Sequence, residues 1–407
     1  MTPRTTDNAP RVAPPRDLTI PDEGSRTARD VLSAAMRRLL SDLRRVAALP
    51  GEDPADAQAF AKALAWALQH APGAVVSALR LPTAGAPLRC ARNALDGAGD
   101  RAQLPAWSRE LRAAMLADLA AQGALPEPVR LSRPPPRVLA PRARLAAAVP
   151  EGSAVTFAPG VMRVGEREVP LRAGDAPDDL VTRPYHLIEG EMLLALADNN
   201  PLSMFEAHPD KEGNAIDLGG HPVEEWVDVL RGCLDLTARY MPALRGEMDL
   251  FVHQIVPVGY HDQRHLSASY QESIGTIYMT LHPNPMTMTE ALIHEFSHNK
   301  INALFELDPV LDNAFWPLYA SPVRPDPRPL HGVVLAVHAF QPIARLYEAM
   351  TAAGDPVSKS PDFQRRFAQI RKVNRDGAEV VLGHGVPTAV GRGLLDEMRR
   401  WDEHFTA

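Results

Sequence analysis

The pentapeptide His294-Glu295-Phe296-Ser297-His298 constrains this chain more than any other stretch. Its two histidines are four residues apart, and in an α-helix positions i and i+4 stand one above the other on the same face. Two imidazoles placed so can aim at one ion, each nitrogen about 2 Å from it. Ala291, Leu292, Ile293 and Phe296 give the segment an apolar flank to bury while the histidines face a cleft. The spacing predicts a helix from near Thr289 to about Glu306, capped by Thr287 or Thr289, with Glu290 in its first turn.

Two histidines alone hold a divalent ion loosely, so a third ligand is expected. His331 and His338 are seven apart and share one stripe of a helix predicted from near Leu330 to Met350. His338, between Val337 and Ala339-Phe340, has the more apolar surroundings and is the favoured third ligand, with His331 as the alternative.

The 407 residues, 45% hydrophobic and 23% charged, are enough for a large core and two or three domains. A net charge of −7 does not point to nucleic acid as the main partner. No run of about 18 apolar residues is present, so no transmembrane helix is expected. The polar N-terminus lacks the apolar stretch of a secretory signal, and the isolated Cys90 and Cys233 suggest no disulfide framework, so a cytoplasmic location is expected.

Residues 1–25 read as a disordered tail and 26–125 as a helical N-terminal domain, with helices around Val31–Leu40, Phe60–Leu68 and Trp107–Ala121. Residues 126–152, with Pro134-Pro135-Pro136 and five arginines, read as a semi-rigid linker, and 153–407 as the domain that carries the pentapeptide. Short strands are expected at Ala154–Phe157, Met162–Val164, Arg167–Leu171, Leu250–Val258 and Gly275–Leu281. Helices are expected at about Glu189–Ala197, Pro222–Tyr240, Asp362–Lys372 and Arg392–Phe405. The class is α+β, mainly helical, with a small antiparallel sheet and the motif helix facing a second long helix.

Three chemistries compete for the motif. A zinc peptidase would use Glu295 as general base for a metal-bound water. The longer pattern with a glycine and a third histidine fails, because Ile301 and Leu304 hold those positions, and Glu348 lies near the far end of its helix. Asp308 and Asp312 leave a third peptidase type open. Non-haem Fe(II) is the second option, with two histidines, one further ligand and open positions for a 2-oxo acid and dioxygen. The loop Ser321-Pro-Val-Arg324-Pro-Asp326-Pro-Arg328-Pro places two arginines directly before the His331/His338 helix, where a guanidinium fork could hold a carboxylate. The third option is a peptide-binding protein stabilised by a metal. Ser267, Ser269, Gln271, Asn302 and His253 are further candidates to line the cleft.

HEFSHNKINALFELDPVL (294–311) followed by SPVRPDPRPLHGVVLAVHAF (321–340) resembles the HExxH-motif domain of the α-ketoglutarate-dependent peptide β-hydroxylases, which act on ribosomally made precursor peptides. LLALADNNPLSMFEAHP (193–209) and HLSASYQESIGTIYMTL (265–281) fit the same pattern, so the resemblance runs from about Tyr185 to Tyr347. It implies Fe(II), 2-oxoglutarate and O2, with hydroxylation at a peptide β-carbon. His294 and His298 match the two helix ligands, and Arg324 and Arg328 match the arginines before the second helix. Ser267 and Ser269 are assigned with those arginines to the co-substrate side. Glu295 then orients a ligand or bound water rather than moving a proton. The N-terminal helices are left to a leader sequence, a partner or a second copy of the chain as a homodimer.

Overall fold

The computed structural model describes residues 12–49, 53–174, 179–205 and 213–406. Five helices open it: α1 (Thr27–Ala47), α2 (Pro54–His70), α3 (Pro72–Arg80), α4 (Pro82–Leu95) and α5 (Leu104–Ala121). Proline begins each of α2, α3 and α4, where a missing N–H costs nothing, and Asp53 caps α2 by accepting from the N–H groups of Ala55 and Asp56. The apolar periodicity predicts only α1, α2 and α5. The short, alanine- and proline-rich α3 and α4 carry little 3.6-residue signal.

Seven short strands follow: β1 (Val129–Leu131), β2 (Arg137–Ala140), β3 (Leu145–Ala148), β4 (Val155–Ala158), β5 (Val161–Val164), β6 (Arg167–Pro170) and β7 (Val181–Thr182). They form an antiparallel sheet ordered β1-β4-β5-β6 and a second ordered β2-β3-β7. Residues 126–152 are therefore not a solvated linker. Val129, Leu131, Val138 and Leu145 are buried in one core with α1–α5, and that core continues to Val181. The carboxylate of Asp56 accepts from the N–H groups of Ser132 and Arg133, and Asp118 pairs with Arg142 at 2.8 Å. Prolines and arginines around three- and four-residue strands hide the alternation from the sequence.

The expected tail differs too. Residues 1–11 lie outside the described residues, but Leu18, Thr19 and Ile20 are buried. The N–H groups of Thr19 and Ile20 donate to the Glu397 carboxylate near the C-terminus. A three-residue anchor is too short to register against a Pro-rich background.

The rest comprises β8 (Tyr185–Glu189), β9 (Met192–Ala195), α6 (Val223–Tyr240), α7 (Pro242–Phe251), β10 (Gln254–Tyr260), β11 (Ser267–Ala268), β12 (Thr276–Leu281), α8 (Pro285–Phe305), β13 (Leu318–Tyr319), β14 (Arg328–Pro329), α9 (Leu330–Ala352), α10 (Pro361–His384) and α11 (Ala389–Thr406). The helix expected over Glu189–Ala197 is the β8–β9 hairpin, whose continuous apolar run is ambiguous by periodicity. The five-stranded sheet, ordered β11-β12-β10-β9-β8, is mixed rather than antiparallel, because β10 runs parallel to both β12 and β9. The class is α+β with helices dominating. Among the described residues no helix is long and apolar enough to cross a membrane.

The period of two along β12 decides what faces the motif helix. Ile277, Met279 and Leu281 join the large core containing α8, whereas Tyr278 belongs to a separate cluster on the other face. β11 pairs Ser267 with Met279, so Ser267 faces α8 as well. α8 starts one turn before Thr289: Asn284 accepts from the N–H groups of Met286 and Thr287, and Pro285 takes the first helical position. α9 packs antiparallel on α8. The His331 ring near its start lies 4.4 Å from Phe305 at the end of α8, and Tyr347 near its end bonds Glu290 near the start.

Candidate metal centre

Glu290, His294 and His298 occupy successive i, i+4 positions on α8, and Phe305 continues their stripe. The Nε2 atoms of His294 and His298 face each other at 2.9 Å. Two nitrogens bound to one ion, about 2.1 Å from it, stand about 3.0–3.4 Å apart for angles of about 90–109°. The observed separation also suits one imidazole N–H donating to the other. Burial pushes the His294 pKa well below the usual histidine value, helped by the nearness of His298, Arg366 and His265. Burial lowers His298 as well, against the opposing pull of Glu295. Both rings are thus neutral at pH 7, the form that ligates metal.

Glu295 completes a group of three. One of its carboxylate oxygens lies with the two histidine nitrogens inside a mutual 4.8 Å, the one such group of His, Cys, Asp or Glu among the described residues. Ser267 Oγ donates to Glu295 Oε1 at 2.7 Å, while Oε2 is buried with no hydrogen-bond partner. Ser269 Oγ donates to the Glu295 carbonyl at 3.3 Å, and Asn299 Nδ2 donates to the same carbonyl at 2.9 Å. Asn299 Oδ1 accepts from the Gly275 N–H at 2.6 Å, which ties α8 to the start of β12. Gly275 has φ +105, and a Cβ there would come within 3.0–3.1 Å of Pro82 and His253. The helix and the sheet that carry the group are therefore pinned to one another at the group itself.

The α9 histidines stand to either side of this group and do not join it. His331 is sandwiched between the rings of Phe305 and Phe315, and burial with the nearness of His298 pushes it down to about 4. His338 lies on the flank of α8 formed by Ser297 and Lys300. Its Nδ1 meets Thr19 Oγ1 at 3.0 Å, and the ring is buried against the Ser297 backbone and the Lys300 ammonium. Phe340, two residues after His338, packs its ring edge-on to that of His294 at 5.0 Å between centroids.

Arg324 and Arg328 both pair with Asp326, at 3.3 and 2.9 Å through their Nε atoms. They flank a loop with exposed Phe315, Trp316, Leu318 and Val323, of which Trp316 is 74% exposed. His253 is buried away from the group, beside Gly275 and Arg80. Gln271 is exposed and Asn302 buried.

Three parts of the site had no local sign in the sequence. Thr19, 319 residues from His338, supplies that ring's partner. Arg366 of α10 grips Glu290 through Nε and a terminal nitrogen at 3.0 and 2.6 Å, one turn above His294. Asn299 reads as an ordinary polar residue of the helix. Only Glu290 could have been found, by extending the four-residue spacing backwards.

Compared with known proteins, the chain matches no protein-family model, and no curated protein matches it significantly.

Proposed function

We propose that this chain is a non-haem Fe(II), 2-oxoglutarate-dependent hydroxylase that oxidises a β-carbon in a ribosomally synthesised precursor peptide. The observation that carries the reading is the donor set: two neutral imidazoles 2.9 Å apart with a buried carboxylate beside them. Two histidines and a carboxylate are a set that non-haem iron uses while keeping open positions. Of the three candidates for the third ligand, Glu295 is the one whose oxygen already stands with both nitrogens, and His338 and His331 require movement.

Bound Fe(II) with 2-oxoglutarate and O2 would supply oxidation of an unactivated C–H bond, yielding succinate, CO2 and the hydroxylated residue. The chain's own residues hold and shield. His294 and His298 present lone pairs, Ser267 fixes the tilt of Glu295, and Phe340 keeps water from one side of His294. Arg324 or Arg328 would take the distal carboxylate of the oxo acid in exchange for Asp326. The exposed aromatic loop at Phe315–Trp316, next to His331, gives a peptide apolar surface to lie on.

One observation favours a second reading, a zinc peptidase. Glu295 Oε1 is tethered and Oε2 has no partner, a disposition that also suits a general base beside a metal-bound water. A turnover assay separates the two. Fe(II)-dependent succinate from 2-oxoglutarate in air, lost in His298→Ala, supports the hydroxylase. Zinc-dependent peptide cleavage lost in Glu295→Ala, with no succinate, overturns it. A metal-bound protein inert in both assays leaves the peptide-binding reading.

A further inference from the structure

A cavity of about 640 Å³ opens beside Leu139 of β2, which belongs to the same buried cluster as Tyr278. It lies between α5, β2 and the turn after β9, and no residue of the His294 group lines it. Its volume falls in the range of small-ligand sites.

Four carboxylates line it, those of Asp100, Glu110, Asp198 and Glu272, against one guanidinium, that of Arg137. Glu110 Oε2 accepts from Asn199 Nδ2 at 3.2 Å, and Glu272 Oε1 accepts from Asn93 Nδ2 at 3.1 Å. Each of these two carboxylates is thus oriented by one asparagine amide, and neither is in an ion pair among the described residues, although Arg137 also lines the cavity. Asn199 Nδ2 donates in addition to the Thr83 carbonyl at 3.0 Å, which leaves its Oδ1 as a fully buried acceptor with no partner. Burial holds Glu110 above the ordinary carboxylate range, against the pull of Asn199, Arg137 and Arg109. A desolvated carboxylate gains most from a cation brought to it. Trp107 and Leu139 provide apolar wall beside these groups.

We propose that this cavity binds an organic cation, a guanidinium or ammonium on an aliphatic stem, with Glu110, Glu272 and Asn199 Oδ1 receiving the head and Trp107 and Leu139 the stem. A guanidinium offers five donors to these acceptors, and an indole face adds attraction for a cation. The site is independent of how the metal centre is read. Its cation comes either from a free small molecule or from a lysine or arginine side chain of a peptide.

Isothermal titration of the full chain tests this with three probes. Agmatine stands for a free cation, N-acetyl-arginine amide for a peptide side chain, and N-acetyl-citrulline amide for a neutral isostere. At least one cation is expected to bind saturably, about tenfold or more tighter than the citrulline compound. The tighter of the two cations identifies the source. Glu110→Gln and Glu272→Gln should each weaken that binding about tenfold, with metal content and melting temperature as in the wild type. If the tighter cation binds no better than the citrulline amide, the proposal is overturned. So does the absence of saturable heat from either cation up to about 10 mM. The cation–citrulline comparison is made on the wild type and stands even if a variant fails to fold.

Discussion

Ser267 Oγ donates to Glu295 Oε1 at 2.7 Å, so a residue of the edge strand β11 sets the tilt of the carboxylate grouped with His294 and His298. A neutral-to-charged hydrogen bond of this kind is worth about 1.5–3 kcal/mol. Ser267→Ala should leave metal content unchanged and lower kcat about tenfold, with KM for the oxo acid moving less than about threefold. Steady-state kinetics beside metal analysis reads both. A variant with wild-type kcat shows that the tilt of Glu295 has no part in turnover.

The identity of the third ligand is open to a direct measurement. His294→Ala and His298→Ala should each lose the metal on dialysis. Of Glu295→Gln, His338→Gln and His331→Gln, the first should weaken metal affinity about tenfold to hundredfold, and the two α9 variants less than about threefold. The ranking follows from the placement of the Glu295 oxygen with both nitrogens, while the His338 ring turns its Nδ1 to Thr19 and His331 lies between Phe305 and Phe315. Loss of metal in His338→Gln with retention in Glu295→Gln would reverse the assignment.

The fold was legible in the sequence wherever one element carried its own signal. α8 and α9 were, because His294/His298 and His331/His338 mark faces of helices long enough to show a period. β12 was, from five consecutive strand-forming residues, Thr276–Thr280. What escaped was set by partners far away in the chain. Strands β1 to β3 make sense only against the helices that cover them. Thr19 becomes a buried residue only because Glu397 and His338 meet it. The pairing of Ser267 with Glu295 was half legible: alternation put Ser267 and Ser269 on one face, but only the β11–β12 register aims that face at α8. Arg324 and Arg328 were readable as a pair of cations, and their joint pairing with Asp326 was not drawn from the loop between them.

That shared aspartate has a kinetic consequence. Asp326 lies where it competes with an incoming carboxylate for the two guanidinium groups. Asp326→Asn removes the competing charge and should lower KM for 2-oxoglutarate about threefold to tenfold. Arg328→Ala should raise it by at least about tenfold. In both variants kcat at saturating oxo acid should stay within about threefold of wild type. Opposite movements of KM in the two variants are the signature. If both leave KM where it was, the co-substrate clamp lies elsewhere, and Arg366 beside Glu290 is the next cation to substitute.

The acid end of the stability curve should report on Glu306, which ends α8 between two arginines of α4. Its carboxylate is buried, 2.9 Å from Arg89 Nε and 2.9 Å from a terminal nitrogen of Arg92, and its carbonyl accepts from Arg38 of α1. Burial alone would raise its pKa, but Arg89 and Arg92 outweigh burial and hold it below the ordinary 4.5. A carboxylate with a depressed folded value contributes stability that is full above the unfolded value and disappears as pH falls through the folded one. Glu306 therefore stabilises the protein at neutral pH and withdraws that support below about pH 4.5. Glu306→Gln removes the carboxylate from buried Arg89 and leaves Arg92 with Asp42 at 3.4 Å, and should cost about 3–5 kcal/mol at pH 7. The same variant should show a flatter decline than wild type between about pH 5 and pH 3, because the titrating group is gone. Urea unfolding at several pH values measures both. Parallel curves for the two proteins would mean that Glu306 is already protonated in the fold, and that Arg89 and Arg92 are held by something other than its charge.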